Sequence, residues 1–178
     1  MTEDAKWPAE IRLALDGHWD DLLALIDRDP GVAQKDYFGS NLLTDCAHMA
    51  GSAEVLRKLV SLGCDPNARS RTGVTPLTAA VTGGSRYGLT TIPEITALVE
   101  LGANVNGPGE NGYPPLHWAI MDNRLDYAEV LLRLGADPSV LAENEWAESA
   151  VEVAQRRQNK EALQLLQDWT TRGLAKSR

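Results

Sequence analysis

One short phrase recurs along the chain and constrains its fold more than any other feature. It reads Leu-Gly-Cys-Asp-Pro-Asn at 62–67, Leu-Gly-Ala-Asn-Val-Asn at 101–106 and Leu-Gly-Ala-Asp-Pro at 134–138. Each copy follows a short run whose apolar residues are spaced as on one face of a helix. The glycines of successive copies are 39 and 33 residues apart. A phrase that returns at such a period indicates a chain built from similar units.

The residues around each phrase predict two short helices per unit. Ahead of two copies stand Gly-Val-Thr-Pro-Leu at 73–77 and Gly-Tyr-Pro-Pro-Leu-His at 112–117. Thr75 can cap a helix, and Pro76 suits its first turn. The second helix of each unit ends on the glycine of the phrase, which can adopt the left-handed conformation of a helix C-cap. Because two short helices cannot bury their own apolar faces, we expect the units to stack.

Together these motifs resemble the ankyrin repeat. The resemblance rests on Thr-Pro-Leu-x-x-Ala at 75–80 and Gly-Ala-Asn-Val-Asn at 102–106, at a period near 33 residues. It implies an all-α ankyrin-repeat solenoid of about five stacked helix-turn-helix repeats with degenerate terminal caps. We expect a single domain over 1–178, with approximate limits of 7–36 for the N-terminal cap, 37–69, 70–108 and 109–142 for the internal repeats, 143–169 for the C-terminal cap and 170–178 for a tail.

The longer spacing between the first two glycines predicts an insertion of about six residues. We place it at 84–92, between the two helices of the third repeat and ahead of Pro93, which can restart a helix. The insertion is either a neutral surface loop or a segment that contacts a partner. Arg86 and Tyr87 within it are residue types that favour contact.

The charge of the chain argues against nucleic acid as a partner. The formal net charge is −8; residues 37–154 carry −7, and only 155–178 are basic, at +4. An acidic body repels phosphate backbones. The polar first eight residues lack the apolar segment of a secretory signal, and no apolar run is long enough to span a bilayer. We therefore expect a cytoplasmic protein that binds neither nucleic acid nor membrane.

No residue pattern in the chain predicts catalysis. His18, His48 and His117 fall in different repeats, without the i, i+4 spacing of metal ligands on a helix. The resemblance implies that His117 hydrogen-bonds neighbouring backbone, whereas His48 is open to a structural or a functional role. Cys46 and Cys64 replace small apolar residues of the repeat, so we expect buried, unreactive thiols. We predict no catalytic residues, no metal and no cofactor.

The tryptophans are expected to differ in role. Trp118 lies on an apolar helical face and is a candidate core residue. Trp19 and Trp169 lie in the caps, where they can shield the ends of the stack. Trp146 precedes the C-terminal cap at the tip of a turn, where a packing role explains it less easily and an interface role stays open.

The resemblance also implies where a protein partner binds, because ankyrin stacks generally use their turn tips and the exposed side of their first helices. Aromatic, Met and Arg side chains at those positions are typical of interface hot spots, and the acids around them favour a partner with a basic surface. With the two insertion residues, the predicted partner-binding set is Phe38, Asn41, Met49, Arg71, Thr72, Thr82, Arg86, Tyr87, Glu110, Asn111, Tyr113, Met121, Asp122, Trp146 and Arg156.

Two functions from different classes remain open for such a binding module. In the first, the chain is an inhibitor or immunity-type protein that neutralises a basic partner enzyme by covering it. In the second, it is an adaptor or scaffold that joins two proteins, with the insertion or the basic end as a second surface. An enzyme is a third alternative, without a residue pattern to support it. We expect a monomer when the chain is free.

Overall fold

Ten α-helices follow one another in five pairs along the part of the chain that the structure describes. The structure is a computed structural model that describes residues 7–37, 39–87 and 91–176, without the side chains of 84–87 and 172–176. The helices are α1 Ala9–Leu15, α2 Trp19–Arg28, α3 Leu42–His48, α4 Ala53–Ser61, α5 Pro76–Tyr87, α6 Ile92–Glu100, α7 Pro115–Met121, α8 Leu125–Arg133, α9 Ala150–Arg156 and α10 Lys160–Lys176. Each odd-numbered helix packs on the even-numbered helix that follows it.

The helices form two parallel layers, as a solenoid requires. The first helices of the pairs contact one another in the order α1, α3, α5, α7, α9, and the second helices do so in the order α2, α4, α6, α8, α10. A single strip of buried Leu, Ile, Val and Ala side chains runs between the layers from one end to the other. Burial of each large aliphatic side chain contributes about 1.5–3 kcal/mol. The predicted solenoid of about five stacked helix pairs is confirmed.

The ends of the second helices follow the sequence prediction. Gly63, Gly102 and Gly135 come just after α4, α6 and α8 and have φ angles of +91°, +98° and +99°. At the first of these, Gly63 N–H donates to Val60 O at 2.9 Å and Cys64 N–H donates to Leu59 O at 3.2 Å. This pattern satisfies the last carbonyls of a helix and turns the chain out of it.

Two asparagines join consecutive repeats beyond these glycines. The Asn67 side chain donates to Gly102 O at 2.9 Å and accepts from Asn104 N–H at 2.7 Å. One repeat later, the Asn106 side chain donates to Gly135 O at 3.1 Å and accepts from Asp137 N–H at 2.8 Å. Each amide thus fixes the helix C-terminus of the following repeat in register.

A small hairpin is the exception to the all-α prediction. Strands β1 Asp36–Tyr37 and β2 Ser40–Asn41 pair antiparallel, with Tyr37 opposite Ser40. The hairpin leads directly into α3, where the Asn41 side chain accepts from Thr44 N–H at 2.9 Å and caps the helix. It therefore positions the first turn of α3 beside α1.

The insertion differs from its prediction, because part of it is helical. Helix α5 has 12 residues and runs on to Tyr87, whereas α3, α7 and α9 have seven each. Residues 84–87, predicted to lie between the two helices, belong to α5, and Ile92 already starts α6. Gly83 packs so closely on α3 that a Cβ atom there would overlap the backbone carbonyl of His48. This glycine permits a helix contact; it does not break the helix.

Candidate protein-binding face

The turns between repeats and the first helices share one side of the stack. Each turn leads directly into the first helix of the next pair. Backbone hydrogen bonds join neighbouring turns: Arg71 N–H donates to Gly39 O at 3.0 Å, and Glu143 N–H donates to Gly112 O at 2.9 Å. We call this side the tip face, defined as the turns 36–41, 70–75, 109–114 and 143–149 together with α1, α3, α5, α7 and α9.

Two grooves open on the tip face around α3. The N-terminal groove, of about 360 Å³, lies between α1 and α3; it is lined by Trp7, Ile11, Ala14, Leu15, Tyr37, Ser40, Asp45, His48 and Met49. The tip groove, of about 310 Å³, lies between the second and third turns; it is lined by Gly39, Ser40, Thr44, Asp45, His48, Ser70, Arg71, Thr72, Val74 and Ala79. Both are lined by Ser40, Asp45 and His48, so the two grooves adjoin, and we refer to them together as the depression.

Asp45 lies at the junction of the two grooves. Its carboxylate Oδ1 accepts a hydrogen bond from the Ser40 hydroxyl at 2.9 Å. Burial raises the pKa of Asp45, and the bond from Ser40 lowers it by less, so the net shift is upward. This carboxylate is therefore held in a setting that disfavours its charge.

Glu10, on α1, is a second carboxylate close to the N-terminal groove. It is only 5% exposed, and its Oε1 accepts from Tyr37 Oη at 2.6 Å and from Lys35 Nζ at 3.1 Å. Burial acts to raise the pKa of Glu10, but the bonds from Tyr37 and Lys35 help to bring it below its ordinary value. Glu10 therefore ties α1 to the hairpin and serves the fold.

A polar cluster closes the opposite end of the tip face. Glu148 accepts two hydrogen bonds from the Arg156 guanidinium, at 3.0 and 2.7 Å, and one from Tyr113 Oη at 2.9 Å. The bonds from Arg156 are the main reason that the pKa of Glu148 is lowered. His117 is 1% exposed, its Nε2 lies 2.9 Å from Glu148 O, and burial lowers its pKa. The predicted structural role of His117 is confirmed.

The predicted partner-binding residues divide into three groups in the structure. Exposed members are Arg71, Thr72, Asn111, Asp122, Trp146 and Arg156, and half-buried members are Asn41, Met49, Thr82, Glu110, Tyr113 and Met121. Phe38 and the side chains of Arg86 and Tyr87 lie outside the described residues. Trp146 is 69% exposed and lies at the tip of the last turn.

Some of these residues line the grooves, and others make hydrogen bonds within the fold. Arg71 and Thr72 line the tip groove, and Met49 lines the N-terminal groove. Asn41 caps α3, and the Thr82 hydroxyl donates to Thr78 O in its own helix at 3.0 Å. These last two side chains therefore have structural roles.

The sequence-based set omitted the residues that shape the N-terminal groove. Trp7 and Leu15 are 41% and 47% exposed on its α1 side, and Asp45 and His48 line its α3 side. The spacing of Asp45 and His48, one turn apart on a helix, was a signal that could have identified them. The contribution of α1 depends on how two helices meet, which the repeat pattern does not encode.

The remaining reactive groups of the described chain are buried or dispersed. Cys46 and Cys64 are buried free thiols, and burial is the main cause that raises the pKa of each; Cys64 Sγ donates to Ala33 O at 3.1 Å. Within the described ranges, no three His, Cys, Asp or Glu side chains come together as metal ligands would. No helix in those ranges combines the length and apolar character of a membrane span. The expected burial of both thiols is confirmed.

The tryptophans also take the positions expected of them. Trp19 and Trp169 are half-buried and pack against the two ends of the core. Trp118 is half-buried, packs on the core and meets the Tyr113 ring edge-on, with 6.1 Å between ring centroids. Trp146 is thus the exposed indole of this part of the tip face.

Comparison with known proteins gives the same family as the fold. Residues 43–142, more than half of the chain, match the family described as ankyrin repeats in three copies. The chain is 33% identical to mouse RelA-associated inhibitor over 95 residues, which are 53% of the chain and 11% of that protein. It is 33% identical to human SH3 and multiple ankyrin repeat domains protein 1 over 135 residues, which are 74% of the chain and 6% of that protein.

A third relative is shorter. Human NF-kappa-B inhibitor alpha is 30% identical over 103 residues, which are 56% of the chain and 32% of that protein. The chain therefore spans 11% and 6% of the first two relatives and about a third of this one. The recurring glycine-capped helix pairs, their two-layer stack and these matches together show that the chain belongs to the ankyrin-repeat family.

Proposed function

We propose that this chain is a non-enzymatic protein-binding module that holds its partner on the tip face. Ankyrin repeats mediate binding between proteins, and the tip face has two adjoining grooves and exposed side chains that can anchor a partner. The observation that carries the proposal is the depression around Asp45 and the exposed Trp146 on the same side of the stack. A partner that spans both would bury an apolar anchor at each end.

The binding has an inhibitory purpose in this proposal. Two of the relatives carry the word inhibitor in their names. A net charge of −8 favours a partner with a basic surface, and an enzyme covered by such a stack loses access to its substrate. Free thiols at Cys46 and Cys64 are typical of a reducing compartment, so we place the protein in the cytoplasm. We also propose that it is a monomer before it binds.

An adaptor is the second candidate, favoured by the division of charge. Residues 155–178 carry +4, whereas the rest of the chain is acidic, so two segments of opposite net charge exist in one molecule. An adaptor captures two proteins at once, whereas an inhibitor abolishes the activity of one enzyme at a 1:1 ratio. Size-exclusion chromatography with light scattering, together with an activity assay of the captured enzyme, separates these outcomes.

The face itself is tested with substitutions on both sides of the stack. The partner is captured with the tagged full chain, and its affinity is measured by calorimetry for Trp146→Ala, Arg71→Ala and Arg133→Ala. Arg133 is an exposed arginine of α8, on the second-helix layer, and is the matched control. We expect Trp146→Ala to weaken binding about tenfold or more, Arg71→Ala to weaken it less, and Arg133→Ala to leave it unchanged. Equal affinities for all three would refute the tip face as the binding surface.

A further inference from the structure

We propose that the N-terminal groove binds a segment of the partner in which an Arg or Lys stands beside a large apolar residue. The basic side chain reaches Asp45, and the apolar one packs on Trp7 and Leu15. This inference rests on the proposed function, because it names the chemistry that the tip face recognises at one end.

The apolar wall of the groove is the first reason. Among the described residues, four large apolar side chains are exposed, and Trp7 and Leu15 are two of them, on the same groove. Ile11 and Ala14 lie between them and are buried, and half-buried Met49 faces them from α3. A contiguous apolar surface of this kind gains stability when a ligand removes it from water, at about 25 cal/mol per Å².

The second reason is the contrast between the two carboxylates near Tyr37. Glu10 has both Tyr37 and Lys35 as donors, and its charge is balanced within the fold. Asp45 is half-buried, yet among the described residues the one group that lowers its pKa is the Ser40 hydroxyl. A shielded carboxylate without a cation gains most when a ligand supplies one.

The described part of the chain places two basic side chains at the depression, Arg71 and His48. Arg71 lines the tip groove on the far side of Asp45, with its side chain packed over Gly39. Among the ion pairs of the described residues, none joins Arg71 to Asp45. His48 lines both grooves one turn from Asp45 on α3. An acidic segment would meet the Asp45 carboxylate at the end of the apolar wall, which excludes it on charge.

The probe that tests this site is the capped peptide acetyl-Gly-Leu-Arg-Leu-Gly-amide. Its matched control replaces arginine by citrulline, which has nearly the same shape but is uncharged, because a carbonyl oxygen that accepts hydrogen bonds replaces one of the donor nitrogens. Both are titrated into the full isotope-labelled chain and followed by two-dimensional NMR. We expect the arginine peptide to shift the Trp7 indole and the amides of α1 and α3, and to bind about tenfold more tightly than the citrulline peptide.

Variants of the chain separate the contribution of charge to peptide affinity from that of apolar packing. Asp45→Asn keeps an acceptor for Ser40 and removes the charge, so it should bring the affinity for the arginine peptide down to that for the citrulline peptide. Asp20→Asn, at an exposed position of α2, is the control and should bind as the unmodified chain does. Leu15→Ala should weaken both peptides and keep the preference for arginine. Melting curves establish that each variant is folded.

Three outcomes would overturn the inference: equal binding of both peptides, unchanged binding by Asp45→Asn, or shifts confined to helices outside α1 and α3. A chain that binds neither peptide overturns it as well. The proposed function fails on a different result, namely equal partner affinity of Trp146→Ala, Arg71→Ala and Arg133→Ala. If the chain fails to bind the arginine peptide but Trp146→Ala still weakens partner binding, recognition is restricted to the C-terminal part of the tip face.

Discussion

Helices α3 and α7 are both seven-residue first helices, yet the tip face is recessed beside α3 and filled beside α7. At the fourth position α7 has Trp118, which fills the space beside Tyr113, whereas α3 has Asp45, which leaves a depression. At the seventh position α7 has Met121, packed on the core, and α3 has His48, which lines the depression. Two matching positions of the repeat thus carry different side chains in a filled part and in a recessed part of the tip face.

The largest difference between the two helices should appear when the histidine of each is substituted and the free energy of unfolding is measured. His117→Ala should lower the free energy of unfolding by about 2–3 kcal/mol, because it empties a buried site and removes the hydrogen bond between the ring and Glu148 O. His48→Ala should lower it by less than about 1 kcal/mol, because the half-exposed ring lines a groove. Urea unfolding measures both. Equal losses would mean that α3 is as tightly packed as α7.

The next largest effect should come from Glu148 at the closed end. Glu148→Gln should lower the free energy of unfolding by about 1 kcal/mol at neutral pH, because Arg156 loses its charged partner. The folded-state pKa of Glu148 lies below its ordinary value of 4.5, so its contribution is present above that pH and is lost as the pH falls through the folded-state pKa. Unfolding curves between pH 3 and 7 should show the gap between variant and unmodified chain closing in acid.

The smallest change in the free energy of unfolding, and an increase where the others are decreases, should come from substituting Asp45 beside the depression. Its folded-state pKa lies above its ordinary value of 3.8, so its contribution to stability falls as the pH rises from about 3.8 through the folded-state pKa. Asp45→Asn should therefore raise the free energy of unfolding at pH 7 by about 0.5 kcal/mol, and the gain should vanish in acid. A loss of stability at pH 7 would indicate that Asp45 serves the fold as Glu148 does.

The sequence predicted the features that depend on neighbouring residues. Gly63, Gly102 and Gly135 end their helices because a left-handed residue is required there, and the pattern around each glycine shows it. Thr75 caps α5 through its hydroxyl, which accepts from Thr78 N–H at 3.2 Å, and this too follows from a local motif. Local chemistry therefore sufficed for the helix pairs and their stacking.

The sequence did not predict features that depend on contacts between helices. Gly83 looks like a helix break, but it lies inside α5, where it allows close approach to His48. The N-terminal groove requires Leu15 of α1 and Trp7, just before that helix, to lie opposite Asp45 of α3, and no spacing along the chain encodes that meeting. Tyr113 and Arg156 look like free contact residues, yet both bind Glu148.

Hydrogen exchange of the full chain, with and without its captured partner, tests the central claim most directly. If the partner binds on the tip face, amides of the turns and of α3, α7 and α9 should exchange more slowly in the complex. Those of α2, α4 and α6, in the second-helix layer, should exchange as in the free chain. Protection of the second-helix layer with unchanged exchange at the turns would contradict the account.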